Sequence, residues 1–167
     1  MEKEIYKNKE MANFHILRWE ELPNIELYVD QVISLLDNTL SNYLSKEKKG
    51  HILTKTMINN YVKNKVILPT TNKRYNKEHM AYLFMICILK QIYSMNDITQ
   101  LCQLTTKNKP IAKAYDDFCE ELENAISVVF AGKEYIQETD SFERYVLKSL
   151  VFSFASKLYI EKMYLKK

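Results

Sequence analysis

Glycine is almost absent from this chain: Gly50 and Gly132 are the only two among 167 residues. Neither a phosphate-cradling Walker loop nor a dinucleotide-binding glycine fingerprint can be built from two isolated glycines. Glycine-punctuated β folds are excluded on the same ground, since tight strand connections draw on residues free to adopt positive φ. Only three prolines interrupt the sequence. Long unbroken stretches with 47% hydrophobic content therefore predict a mostly α protein with one substantial core.

Charge is segregated along the chain. From Lys46 to His79 there are nine basic and two acidic residues, a local +7, whereas Pro110 to Glu143 carries two basic and nine acidic residues, a local −7. The net charge of +3 conceals both blocks. A concentrated basic block points to a local anionic partner. Lys46, Lys48 and Lys49 alone would read as a solvated loop; the residues that follow give the block its meaning.

Residues Ile25 to Leu44 have the spacing of an amphipathic helix, with Asn24 near its cap and Trp19 and Leu22 packed over its start. Thr54 is placed to cap a shorter helix running to about Asn64. On a helical wheel, Met57, Ile58, Tyr61 and Val62 form its buried stripe. Thr56, Asn59, Asn60 and Lys63 form an opposite face without one acidic group. Asparagine can bond adenine bidentately, threonine can meet a thymine methyl, and lysine can reach guanine or phosphate.

Beyond this helix, Val66-Ile67-Leu68 and Arg74-Tyr75 read as two short strands around a polar tip that carries Lys73 and Arg74. A short helix followed by a basic tip is the layout of a winged helix-turn-helix. Asn76 should cap a third helix whose apolar middle, Met80 to Leu89, makes it the most buried element. Ser94 and Asp97 open a fourth helix, Pro110 and Gly132 bracket a fifth, and Asp140 to Glu143 has the spacing that starts the last. That last helix holds more apolar residues than a solvent-facing helix needs. It therefore either fills the centre of a C-terminal bundle or makes a subunit interface.

The stretch Leu53 to Lys63, LTKTMINNYVK, followed by Pro69, Lys73-Arg74-Tyr75 and His79, resembles the family called domain of unknown function 1836. The upstream Leu22-Pro23 and Leu27-Tyr28-Val29-Asp30-Gln31 share that resemblance, which spans about Trp19 to Leu104. More distantly, Tyr61, Pro69, Arg74-Tyr75 and Ser94 to Ile98 are similar to the corresponding elements of MerR-type regulators. The resemblance implies a helix-turn-helix protein acting in transcription. The loop before Thr54 is longer than a helix-turn-helix turn, and the wing lacks glycine.

Together these readings give a winged helix-turn-helix-like DNA-binding unit over 19–104 and a helical dimerisation or regulatory region over 110–167. The expected contacts to double-stranded DNA are Lys55, Thr56, Asn59, Asn60, Lys63, Lys73 and Arg74. A homodimer is expected, without cofactor, metal or membrane. Catalysis is not expected, because His15, His51 and His79 stand apart and the acidic run Asp116 to Glu123 lacks a histidine. No RNA-binding glycine-aromatic signature is present. Cys87, Cys102 and Cys119 fit neither a disulfide framework nor a zinc pattern, and the N-terminus shows no apolar leader, so a cytoplasmic protein is expected. The alternative is a non-catalytic helical protein-interaction module.

Overall fold

The computed structural model describes residues 7–47 and 50–167. Lys48 and Lys49 of the basic block, and the first six residues of the N-terminal stretch, lie outside the described residues. Among the described residues the structure is mostly helical, with one two-stranded antiparallel sheet.

The helix expected from Ile25 begins later. Leu27–Tyr28 (β1) is drawn into an antiparallel pair with Arg74–Tyr75 (β2), matching Leu27 to Tyr75 and Tyr28 to Arg74. The helix, α2, therefore runs Val29–Leu40 and leaves Ile25 69% exposed. Its apolar stripe of Val32, Ile33, Leu36 and Leu40 is buried. A short helix that periodicity did not signal, α1 (Lys9–Ala12), precedes it, capped by the Asn8 side chain. Trp19 is half-buried against the core, and the Lys77 ammonium lies 5.5 Å from its ring centroid.

Between α2 and the next helix, Asp37 pins the connecting loop. Its carboxylate accepts from the Ile52 N–H at 2.9 Å and bonds His51 Nδ1 at 2.6 Å. Leu44, Ile52 and Leu53 are buried beneath. The next helix, α3, spans Lys55–Lys63, and Thr54 caps it by accepting from the Met57 N–H.

Val66 to Leu68 does not form a strand. Its donors are used elsewhere: the N–H groups of Val66 and Ile67 both return to the Tyr61 carbonyl, at 2.8 and 3.3 Å. Its last acceptor is engaged too, since His79 Nε2 lies 3.1 Å from the Leu68 oxygen, and 3.2 Å from that of the following Pro69. With those groups taken, β2 pairs with β1 instead.

Asn76 caps α4 (Lys77–Leu89), whose core-facing residues cover nearly its whole circumference; Leu83, Phe84, Cys87 and Ile88 are fully buried. Ser94 caps α5 (Met95–Thr105). Helix α6 (Ile111–Ala131) starts after Pro110 and stops at Gly132, whose φ of 71° is a left-handed C-terminal cap. The last helix, α7 (Phe142–Ile160), is capped by Ser141, one residue beyond the Asp140 of the expected pattern. It ends in one π-helical turn over Glu161–Leu165.

Helices α6 and α7 run in the same direction. Arg144, at the start of α7, meets Asp117 and Glu121 in the first half of α6, while Tyr159 and Phe130 meet near the two C-termini with ring centroids 5.2 Å apart. The connecting residues 132–141 therefore return along the pair, and Tyr135 stacks on Phe152. Buried side chains from α1 to α7 make one continuous core.

Candidate nucleic-acid interface

Helix α3 keeps its apolar side on the core. Ile58 and Tyr61 are buried, and Met57 and Val62 are partly so. Burial pushes the Tyr61 phenol up to about 12, with the neighbouring Cys87 and Glu47 adding to the effect, so this side remains neutral. Every residue expected to contact nucleic acid is exposed: Lys55, Thr56, Asn59, Asn60, Lys63, Lys73 and Arg74. Among the described residues, no hydrogen bond or ion pair occupies the side chains of the first six.

The tip facing α3 is a tight turn over Thr71 to Arg74, closed by the Arg74 N–H donating to the Thr71 carbonyl at 3.1 Å. Asn72 and Lys73 at its centre have φ of 53° and 57°. Both are left-handed, the backbone of a primed hairpin turn made without glycine. Asparagine accepts this conformation readily; lysine adopts it at a steric cost of roughly 1–2 kcal/mol.

The turn and α3 enclose a groove of about 550 Å³. Lys55, Asn59 and Lys63 line one side, Thr70 and Lys73 the other, and Tyr28, Asp30 and Tyr75 its floor and end. Four of the seven expected contacts are thus brought together. Asn60 instead borders a second groove of about 580 Å³ between α3 and α5, with Met57, Tyr61, Asn64, Val66, Met95, Asn96 and Thr99. Thr56 lines neither groove. Arg74 is held over β1, its guanidinium 5.2 Å above the Tyr28 ring and its Nη2 donating to the Tyr28 hydroxyl at 3.1 Å.

Tyr28 and Thr70 belong to this surface and were missed in the sequence. The signal for Tyr28 was the pairing of residues 46 positions apart, which local periodicity does not carry. A lysine-lined groove with exposed amides can accept phosphate oxygens along its length and base edges at Asn59. Among the described residues, one acidic group, Asp30, stands at its margin.

The histidines have structural partners. His79 Nδ1 accepts from the Asn76 N–H, so its ring hydrogen sits on Nε2 and serves the Leu68 and Pro69 carbonyls. His15 lies between Glu21 and Glu123. The three cysteines are buried thiols; burial pushes Cys102 and Cys119 up to about 12 and Cys87 further. Among the described residues, no group of three or more His, Cys, Asp or Glu side chains could hold a metal ion, and no helix is long and apolar enough to cross a membrane.

No curated protein and no solved structure matches the chain. A family model does, the one described as Domain of unknown function (DUF1836), over residues 17–118. That match takes in both strands, α2 to α5, the whole groove and the first turns of α6. The chain belongs to this family of domains of unknown function.

Proposed function

We propose that the protein is a DNA-binding transcriptional regulator that sets α3 in the major groove and the turn at residues 71–74 on the phosphate backbone. One observation carries the reading. The exposed side of α3 holds Lys55, Thr56, Asn59, Asn60 and Lys63 without a carboxylate, and shares its groove with Lys73. A stable solvated helix face usually mixes both signs of charge, since opposite charges three or four residues apart support each other. A face limited to amides, a hydroxyl and ammonium groups matches the donors and acceptors of base edges and phosphates.

In this reading α2 and α3 stand where a MerR-type regulator carries its two DNA-binding helices, and the turn acts as a minimal wing. Two copies act together through their C-terminal helices, so that each α3 meets one half-site. No catalytic step is involved, and the setting is cytoplasmic.

Selection of bound sequences from random double-stranded DNA by the purified protein tests this. A recovered motif, bound at physiological salt with an affinity that falls as salt rises, is the expected result. Failure to enrich any sequence, with no salt-dependent binding to duplex DNA, would overturn it. The second reading, a non-catalytic interaction module, rests on the bare apolar side chains of α7: Phe142 is 70% exposed and Ile160 54%. It would then take first place.

A further inference from the structure

We propose that the outer face of α7 is the dimer interface and that it packs antiparallel, across a two-fold axis, on the same face of a second copy. This specifies the homodimer of the functional reading, and it stands on separate observations. On the wheel, Phe142, Tyr145, Val146, Ser149, Ser153, Ser156 and Ile160 fall within roughly 100° of one another, away from the buried Leu147, Val151, Phe154 and Leu158, with the buried Leu150 at the flank. That outer face carries no charged residue over the whole helix, about 28 Å at 1.5 Å per residue. Tyr164 and Leu165, 81% and 49% exposed, continue it.

The area is sufficient. At about 200 Å² for a whole aromatic side chain, the exposed fractions of Phe142, Tyr145 and Tyr164 leave roughly 400 Å² bare. This is half of the ~800 Å² that a standard interface takes from each partner. Ile160, Leu165, the serines and the flanking Ile136, itself 63% exposed, supply more.

Two of the three serines in the strip have hydroxyls that are already satisfied. Ser149 Oγ donates to the Tyr145 carbonyl at 3.1 Å and Ser153 Oγ to that of Ser149 at 2.9 Å. Burying them strands no donor, and their small size lets two helices approach closely.

Charge fixes the direction. Phe142 and Ile160 lie five full turns apart and point the same way, so an antiparallel partner places Phe142 of each copy opposite Ile160 of the other. Glu143 and Lys157 lie on one flank, about 40° apart on the wheel. The same two-fold sets Glu143 beside the second copy's Lys157, twice per dimer. Among the described residues Glu143 has no ion-pair partner, while Lys157 pairs with Glu161 and can be shared. A parallel two-fold would instead put the two copies' charged flanks on opposite sides of the seam and leave Glu143 without that partner.

Sedimentation equilibrium of the full chain without DNA tests this, so that its outcome is independent of the DNA-binding reading. A dimer of the 19.9 kDa chain at micromolar concentration is expected. Ser153→Arg should weaken it at least tenfold with an unchanged circular dichroism spectrum; Ser149→Arg reads the same face should that variant fail to fold. Glu143→Lys and Lys157→Glu should each weaken it, and the double variant should restore it. A monomer at 100 micromolar or beyond, a dimer indifferent to both arginine substitutions, or single charge changes that are not rescued by their combination would overturn the proposal.

Discussion

Arg74 is bound to Tyr28 twice, by its guanidinium 5.2 Å over the ring centroid and by an Nη2 hydrogen bond of 3.1 Å to the hydroxyl. The two residues are direct partners in the β1–β2 pair, so the side chains repeat what the backbones already do. The turn carrying Lys73 is thereby fastened to the start of α2. Replacing Tyr28 by Phe keeps the ring and removes one exposed hydrogen bond, and should cost less than about 1 kcal/mol. Tyr28→Ala removes the cation–π contact as well and should cost about 0.5–1 kcal/mol more. Urea denaturation of the two variants measures the difference. Equal losses would assign the fastening to the hydrogen bond alone.

On the DNA-binding proposal, the groove separates a base-reading role from a phosphate-holding one. Asn59→Ala should cost about 1–3 kcal/mol on a selected DNA site and little on a scrambled one. Asn60→Ala should have the smaller effect of the two amides, because Asn60 borders the neighbouring groove. Lys73→Ala should weaken both DNAs alike and flatten the salt dependence by about one unit, as one fewer counterion is released. Titrations at several salt concentrations read both quantities. Discrimination unchanged by Asn59→Ala, together with a salt slope unchanged by Lys73→Ala, would remove this surface from the DNA contact.

Phe84 is fully buried in α4, the helix enclosed on nearly every side. Phe84→Ala should therefore cost about 3–5 kcal/mol, the range for an aromatic deleted from a packed site. Chemical denaturation followed by circular dichroism gives the value. A loss under about 1 kcal/mol would show that the site collapses onto the space left behind.

An ionic cluster centred on the buried Asp117 joins the start of α6 to the start of α7. Asp117, 3% exposed, meets Lys113 at 2.7 Å, Lys109 at 3.0 Å and Arg144 at 3.2 Å, and Arg144 also bonds the buried Glu121. Burial pushes the Asp117 carboxyl upward, but the hydrogen bonds from Lys113 and Lys109 and the charges of Lys109 and Arg144 together hold it below its usual value. A carboxyl lowered by folding stabilises the fold fully above its unfolded value of about 3.9, and that contribution disappears as pH falls through the folded value. Acidification below about pH 4 should therefore cost the native protein stability that an Asp117→Asn variant, already destabilised at neutral pH, no longer has to lose. Arg144→Ala leaves two buried carboxylates with less compensation and should cost about 3 kcal/mol. Thermal melts from pH 3 to 7 compare all three proteins.

Local signals were legible where local chemistry decides the structure. Thr54, Asn76, Ser94 and Gly132 mark helix ends that the backbone adopts, and the apolar run of α4 announces its burial. The exposed side of α3 follows from its own periodicity. Three features lay beyond such signals. Leu27–Tyr28 reads as helix until Arg74–Tyr75 supplies a strand partner from the far side of α3. Val66 to Leu68 has strand composition, yet Tyr61 and His79 use its hydrogen-bonding groups first. The common direction of α6 and α7 depends on Tyr135 finding Phe152 along a segment with no periodicity of its own. Each is settled by a contact between residues distant in sequence, the kind of information a single chain's pattern does not hold.

Helix α6 passes without interruption through residue 118, where the family match ends. Its length therefore sets a rotational phase between the two parts of the molecule. One residue inserted after Phe118 would turn everything beyond it by about 100° and advance it about 1.5 Å. Arg144 would travel with Glu121 but lose its alignment with Asp117, and the outer face of α7 would point away from its present bearing relative to α3. Segments after α6 can vary in composition while preserving this relation, but α6 itself works as a gear of fixed tooth count.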